Sequence, residues 1–204
     1  MPSDIDPILI DLGTIRDQGM RPTCLSFAIS DVHRWRLDID ELLSPESLHR
    51  AAALRHGTSM NEAVATSAAL TALELDGQTT ELYWPYNTEA CLHLSAPFFK
   101  RAASPKPFNS SDAATMLRNN GVMIALLNIG KEFFVLNDTN QLEEEDILPI
   151  EGCHAVVVNG TEVRGAKRYF RLRNSWGGEW GMDGQIWASA PYLTQRCFTV
   201  LQLN

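Results

Sequence analysis

Tyr169-Phe170-Arg171-Leu172-Arg173-Asn174-Ser175-Trp176-Gly177-Gly178-Glu179-Trp180-Gly181 is the stretch that decides how this chain reads. Its first five residues alternate in the manner of a strand with one buried face. The strand runs into Asn174, and two tryptophans set among glycines follow. An Asn amide oxygen at a strand end can accept a hydrogen bond from an imidazole nitrogen and so fix its tautomer. The tryptophans would keep water off that bond. A β-turn with aromatic packing explains the same residues without chemistry, and on this segment alone both readings stand.

Working back along the chain, Gly152-Cys153-His154-Ala155-Val156-Val157-Val158 places a histidine at the head of an apolar strand. A strand-end imidazole can be held as rigidly as a general base requires. The competing reading is a satisfied core histidine. Asn159-Gly160 is a turn signal and is expected to close this strand. Val122 to Ile129 is a further strand, and Gln185 to Ala188 another. The acidic stretch Glu143-Glu144-Glu145-Asp146 reads as a solvated loop.

The first half reads as helices. Leu25, Ala28, Ile29 and Val32 lie at helical spacing, which predicts a helix from Thr23 or Ser26 to about Arg36. Ser44 as N-cap and Pro45 at the first helical position start a second helix, which Gly57 should stop. Ser59 with Glu62 has capping-box spacing and predicts a third helix, with Val64, Ala68, Ala72 and Leu75 on its buried face and Gly77 at its end. Residues 78 to 110 are irregular and proline-containing, and the boundary between two lobes is expected there. A short helix from Ser110 or Ser111 to Asn119 follows.

A nucleophile for that histidine would come from Asp17-Gln18-Gly19-Met20-Arg21-Pro22-Thr23-Cys24-Leu25. Cys24 falls at the start of an amphipathic helix, where the partial positive charge of the helix terminus favours a thiolate. An inert cysteine packed as a small hydrophobe is the alternative. His33, His49 and His56 read as surface histidines on their helices, and His93 as part of the irregular connector.

Composition removes several function classes. The chain has 204 residues, net charge −8 and no Lys/Arg cluster, a poor match for the nucleic-acid backbone. Its longest apolar run, Val122 to Leu127, is far shorter than a membrane helix, and no secretory signal opens the sequence. Cys24, Cys91, Cys153 and Cys197 are widely spread without CxxC or zinc-type spacing, and no metal or organic cofactor is implied by the sequence. Few cysteines and no signal point to a cytoplasmic, reducing setting or delivery from it.

Taken together, these segments resemble the papain-like cysteine peptidases, in their bacterial-type branch. The resemblance is carried by Gln18-Gly19 before Cys24, by Gly152-Cys153-His154-Ala155-Val156, and by Asn174-Ser175-Trp176-Gly177 with Trp180-Gly181 following. Cys24 precedes His154 by 130 residues and Asn174 by 150, which is the spacing known for that family. Weaker matches are Leu43-Ser44-Pro45-Glu46-Ser47-Leu48, Gly57-Thr58-Ser59, Trp84-Pro85-Tyr86 and Gly130-Lys131-Glu132-Phe133.

The resemblance implies an α+β, two-lobe fold within a single catalytic domain. A helical lobe would span about 13 to 105. A β lobe would span about 106 to 204 together with the N-terminal segment, and the active-site cleft would lie between them. It implies Cys24 as nucleophile, His154 as general base and later acid, Asn174 as the orienter of His154, and Gln18 as an oxyanion donor beside the Cys24 N–H. Trp176 would shield the His154–Asn174 bond. Gly57 and Gly152 would flank an extended substrate, and Ala125 would line a pocket.

The chain departs from the secreted members. Arg21 stands where they carry a disulfide cysteine, and Arg55-His56-Gly57-Thr58 replaces their glycine- and cysteine-rich loop. Gln18 comes so early that no inhibitory pro-segment is expected. Restraint by a separate inhibitor, activator or larger parent protein, or delivery as an effector or defence enzyme, would take its place. Cys153 would tune substrate choice or redox sensitivity, or simply fill space. The expected activity is hydrolysis of a protein or peptide. Other Cys-dependent acyl transfer (isopeptidase, amidase or transglutaminase-like) and a non-catalytic peptide-binding module are the alternatives.

Overall fold

The structure, a computed structural model, describes residues 7–91, 95–119, 121–137 and 139–204. His93 lies outside the described residues. In chain order the elements are β1 (Ile8–Leu9), α1 (Cys24–Leu37), α2 (Pro45–His56), α3 (Thr66–Leu75), β2 (Ala103–Lys106), α4 (Ser110–Arg118), β3 (Met123–Ile129), α5 (Lys131–Phe134), β4 (Gln141–Leu142), β5 (Gly152–Arg164), β6 (Lys167–Arg173), β7 (Gln185–Ser189), α6 (Ala190–Arg196) and β8 (Cys197–Leu203). They form two compact units. Among the described residues, one comprises those within 18–104 with 203–204, and the other those within 7–17 and 105–202.

The helical unit follows its capping residues closely. Ser44 accepts the Ser47 N–H at 3.0 Å, Pro45 opens α2, and Gly57 ends it at φ 75, where its N–H reaches the Ala53 carbonyl. The helix expected from Ser59 instead begins at Thr66. Glu62 does turn back, but it binds the Thr58 hydroxyl and the Ser59 N–H in a closed loop, so the box is spent on a turn and starts no helix. Those bonds hold the Glu62 carboxyl down at about 2.

Two histidines correct the sequence reading. α1 is buried on every side from Leu25 to His33, so His33 lies in the core, not on the surface. Ser30 donates to Gln78 Oε1 at 2.8 Å, which leaves Gln78 Nε2 as the donor to His33 Nδ1 at 2.7 Å. His49 is equally buried, with its Nδ1 3.4 Å from the Ser26 hydroxyl. His56 is exposed, as its helix position predicts.

The other unit is built on one mixed sheet. Its order is β2-β8-β3-β5-β6-β7-β4, with β1 added to β5. β3, β5, β6 and β7 are antiparallel neighbours, and β4 joins β7 in parallel. Branched and aromatic residues including Ile124, Leu127, Val158, Phe170 and Leu172 fill the core. β5 does not stop at Asn159-Gly160 but continues to Arg164 and turns at Gly165, φ 62. Asn159-Gly160 forms a bulge against β6 instead. Its residues receive the N-terminal segment: Asn159 Nδ2 donates to the Ile10 carbonyl at 2.9 Å. A Cβ on Gly160 would stand 2.8 Å from the Ile8 carbonyl oxygen, so only glycine lets β1 come this close.

The acidic stretch is also more structured than a solvated loop. Glu144 to Asp146 form a 3-10 turn, and Glu143 holds Lys167 Nζ at 2.9 Å and the Tyr169 hydroxyl. Among the described residues, no helix is long and apolar enough to cross a membrane.

Candidate active site

In the helical unit, residues 18 to 24 form a tight turn that ends in α1. Cys24 is the first residue of the helix, partly exposed and not disulfide-bonded. The first turn of this 14-residue helix carries no acidic side chain, so nothing there offsets the positive end of its dipole. Gln18 is buried, and its Nε2 donates to the Arg21 carbonyl at 2.8 Å. Gly19 between them has φ 61, a conformation that favours glycine.

The Tyr86 hydroxyl holds this turn from outside it. It donates to the Gln18 carbonyl at 2.8 Å, so its 2.7 Å contact with Thr23 is a bond given by the Thr23 hydroxyl. Thr23 therefore directs its side chain to Tyr86 and does not cap α1, which starts without a side-chain cap. Phe27 packs edge-on against Tyr86 at 4.8 Å. No sequence signal linked Tyr86 to a turn more than sixty residues away.

In the strand unit, His154 is the third residue of β5 and pairs with Leu127 of β3. Its Nε2 lies 2.7 Å from Asn174 Oδ1. The Ser175 N–H, which can only donate, reaches the same Oδ1 at 2.8 Å. That backbone donor identifies the atom as oxygen, so His154 must present Nε2–H to it. The neutral ring then keeps Nδ1 as its proton acceptor.

Aromatic rings enclose this pair. Trp176 lies 4.5 Å from the His154 ring and Phe133 5.6 Å from it. Phe134 stacks on Trp176 at 5.4 Å, while Trp180 packs against Phe133 and donates its Nε1–H to the Phe133 carbonyl at 3.2 Å. Burial depresses the His154 pKa to about 4, and the bond to Asn174 opposes that shift. The imidazole is thus neutral across the physiological range.

Phe133 is itself anchored from below. Its neighbour Glu132 is buried and accepts Arg196 Nη2 at 3.0 Å and the Tyr192 hydroxyl at 3.1 Å. The weak motif Gly130-Lys131-Glu132-Phe133 carries no local sign of its part in enclosing His154.

The remaining predicted residues fall on different elements, Gly57 in the helical unit and the others in the strand unit. Gly152 opens β5 opposite Ile129, and Gly57 ends α2; nothing lies within 4 Å of where a Cβ would stand on either. Ala125 sits in mid-sheet between Val156 and Val200 and has no exposed surface. Cys153 is exposed, with its thiol 3.4 Å from Asn128 Oδ1. Among the described residues, no group of three or more His, Cys, Asp or Glu side chains is arranged to hold a metal ion.

Residues 10–192 match the family model of the papain family cysteine proteases. The chain belongs to the papain family of cysteine proteases. It is a peptidase of the hydrolase class, with the α+β two-lobe fold of that family. Solved papain-family structures share this fold. Xylellain, a cysteine protease from Xylella fastidiosa, superposes with TM-score 0.76 at 18% identity, over 97% of this chain and 85% of its own. Procathepsin B S9 from Trypanosoma congolense gives TM-score 0.75 at 18% identity, over 95% of this chain and 73% of its own. A structure from work on the mite allergens Blo t 1 and Der p 1 gives TM-score 0.76 at 20% identity, over 98% of this chain and 71% of its own. Comparison of the sequence with curated proteins returns no match.

Proposed function

We propose that this papain-family protein hydrolyses peptide bonds in a protein or peptide substrate through an acyl-enzyme on Cys24. The observation that carries the reading is the bond network His154–Asn174–Ser175, which leaves His154 Nδ1 as a buried, neutral acceptor. In the first step the Cys24 thiol proton passes to His154. The sulfur then bonds to the substrate carbonyl carbon, and the carbonyl oxygen becomes an oxyanion. The Gln18 side-chain amide and the Cys24 N–H receive that charge. His154 gives its proton to the leaving nitrogen as the C–N bond breaks. A water deprotonated by His154 next attacks the thioester, the C–S bond breaks, and the proton returns to sulfur.

Asn174 keeps His154 in the productive tautomer, and Trp176 shields their bond. Gly57 and Gly152 take up an extended substrate, a role supported by the open space beside both α-carbons. Ala125 is given no direct substrate contact, because it is fully buried. The protein works without a cofactor in this scheme and in a reducing, cytoplasmic setting.

The test is intact mass after a limiting dose of an epoxide-type peptidyl thiol inhibitor, on wild type and Cys24→Ala. One adduct on wild type and none on the variant is expected, followed by cleavage in a peptide library. Equal labelling of both, or none, overturns the assignment of Cys24. Labelling at Cys24 without cleavage of any peptide replaces the peptidase by another acyl transferase.

A further inference from the structure

Arg21 sits in the turn before Cys24, and its partly exposed guanidinium bonds to three other segments of the helical unit. Its side chain is 18% exposed, and that of its partner Glu46 is 5% exposed. Nη1 and Nη2 grip the two Glu46 oxygens at 2.5 and 3.2 Å, a two-pronged pairing. Nη1 also reaches Asn87 Oδ1 at 2.9 Å, and Nη2 the Met60 carbonyl at 3.1 Å. Asn87 returns to Glu46 through its backbone N–H at 3.1 Å, and the guanidinium lies 5.1 Å from the centre of the Tyr86 ring. One side chain therefore ties together the first turn of α2, the loop before α3 and the Tyr86–Asn87 loop.

The backbone carbonyl of the same residue serves a second set of partners. The Arg21 carbonyl accepts the Gln18 amide at 2.8 Å and the Thr23 N–H at 2.8 Å. A primary amide has two hydrogens. With one held by the Arg21 carbonyl, the other has a fixed direction. We propose that Arg21 is a positioning residue for the oxyanion donor Gln18: its anchored guanidinium fixes the carbonyl that orients the Gln18 amide. The inference rests on the peptidase reading above. Lysine cannot replace it, because an ammonium lacks the planar fork that reaches Glu46, Asn87 and Met60 at once.

Arg21→Met alone would strand a buried Glu46 carboxylate and risks misfolding. The informative variant is Arg21→Met/Glu46→Gln, which removes both charges at similar volume. It is compared with wild type, Gln18→Ala and the triple variant in steady-state hydrolysis of a peptide amide, with folding checked by circular dichroism. The pair variant should lose roughly 10- to 100-fold in kcat with KM little changed, because the donor acts on the oxyanion and not on the ground-state carbonyl. In the Gln18→Ala background the same pair change should cost less than about 3-fold, since the residue it acts through is gone. Arg21→Lys should rescue little. Wild-type kcat in a folded pair variant, or losses that multiply independently of Gln18, overturn the inference. If wild type cleaves no peptide, the peptidase reading fails separately. Hydrogen exchange across residues 18–24 then decides this one: faster exchange in the pair variant sustains it, and unchanged exchange ends it.

Discussion

His154 Nε2 and Asn174 Oδ1 are 2.7 Å apart, and the Ser175 N–H on the same oxygen dictates which of the two gives the proton. Replacing Asn174 by alanine removes both the tautomer lock and the contribution that raises the His154 pKa. A hydrogen bond to a group that becomes charged is worth about 1.5–3 kcal/mol, so kcat/KM should fall roughly 10- to 150-fold. The acid limb of the pH–rate profile should also move below its wild-type position, because the bond to Asn174 raises the His154 pKa. Asn174→Asp keeps the acceptor and adds a negative charge, so its acid limb should move up. Identical acid limbs in all three proteins would remove Asn174 from this role.

Trp176→Ala should act with the opposite sign. The depressed His154 pKa comes first from burial, and Trp176 at 4.5 Å is a large part of the wall. Opening that wall lets water solvate the imidazolium and raises the pKa from about 4 towards the ordinary value of about 6.5. NMR titration of His154 in Cys24→Ala, with and without the Trp176 change, measures this directly. An unmoved titration would mean that other residues supply the desolvation.

Stability should fall in mild acid. His154 and His33 are both held down to about 4 by burial, and His49 is lowered for the same reason. Between about pH 6.5 and pH 4 the unfolded chain binds these protons and the folded chain does not. The stabilisation is therefore full above pH 6.5 and is lost as pH falls to about 4, at up to ~3 kcal/mol for each of His154 and His33. Urea unfolding at pH 7 and pH 4.5 should show the midpoint dropping, and His33→Gln should flatten the dependence. A midpoint independent of pH over that range would contradict the burial of both rings.

Arg196→Met should be strongly destabilising. Arg196 and Glu132 are both 4% exposed at their side chains, so the change leaves a buried carboxylate with Tyr192 alone. Loss of one partner of such a pair costs about 3–5 kcal/mol. Arg196→Met/Glu132→Gln should recover most of it, as read by thermal unfolding. If the double variant is no more stable than the single one, the lost packing of the arginine stem dominates and the stranded charge does not.

How far the sequence carried depended on the range of the interaction. Ser44, Pro45 and Gly57 bounded α2 correctly because caps act within one turn of chain. The Asn174-Ser175-Trp176 loop was legible because its partner His154 also sits at the head of a strand with a clear apolar pattern. Asn159-Gly160 misled, since the same dipeptide serves a turn or a bulge, and the choice was made by the approach of Ile8 from the far end of the chain. His33 and His49 were misplaced because periodicity assigns one polar face to a helix, whereas α1 and α2 bury histidines supported by Gln78 and Ser26. Tyr86, Glu46 and Arg21 form a network of distant partners with no local signature, and only the folded chain brings them together.

The pairing of β1 with β5 also bears on the order in which a ribosome delivers the parts. Ile8 and Thr161 are register partners 153 positions apart. At typical elongation rates roughly 8–30 s separate their synthesis. Residues 18–104, which make up nearly all of the helical unit, are complete long before β5 exists. β1 is thus synthesised well before the strand that pairs with it. During translation β1 can take its register only after β5, with the Asn159-Gly160 bulge that receives it, has been made.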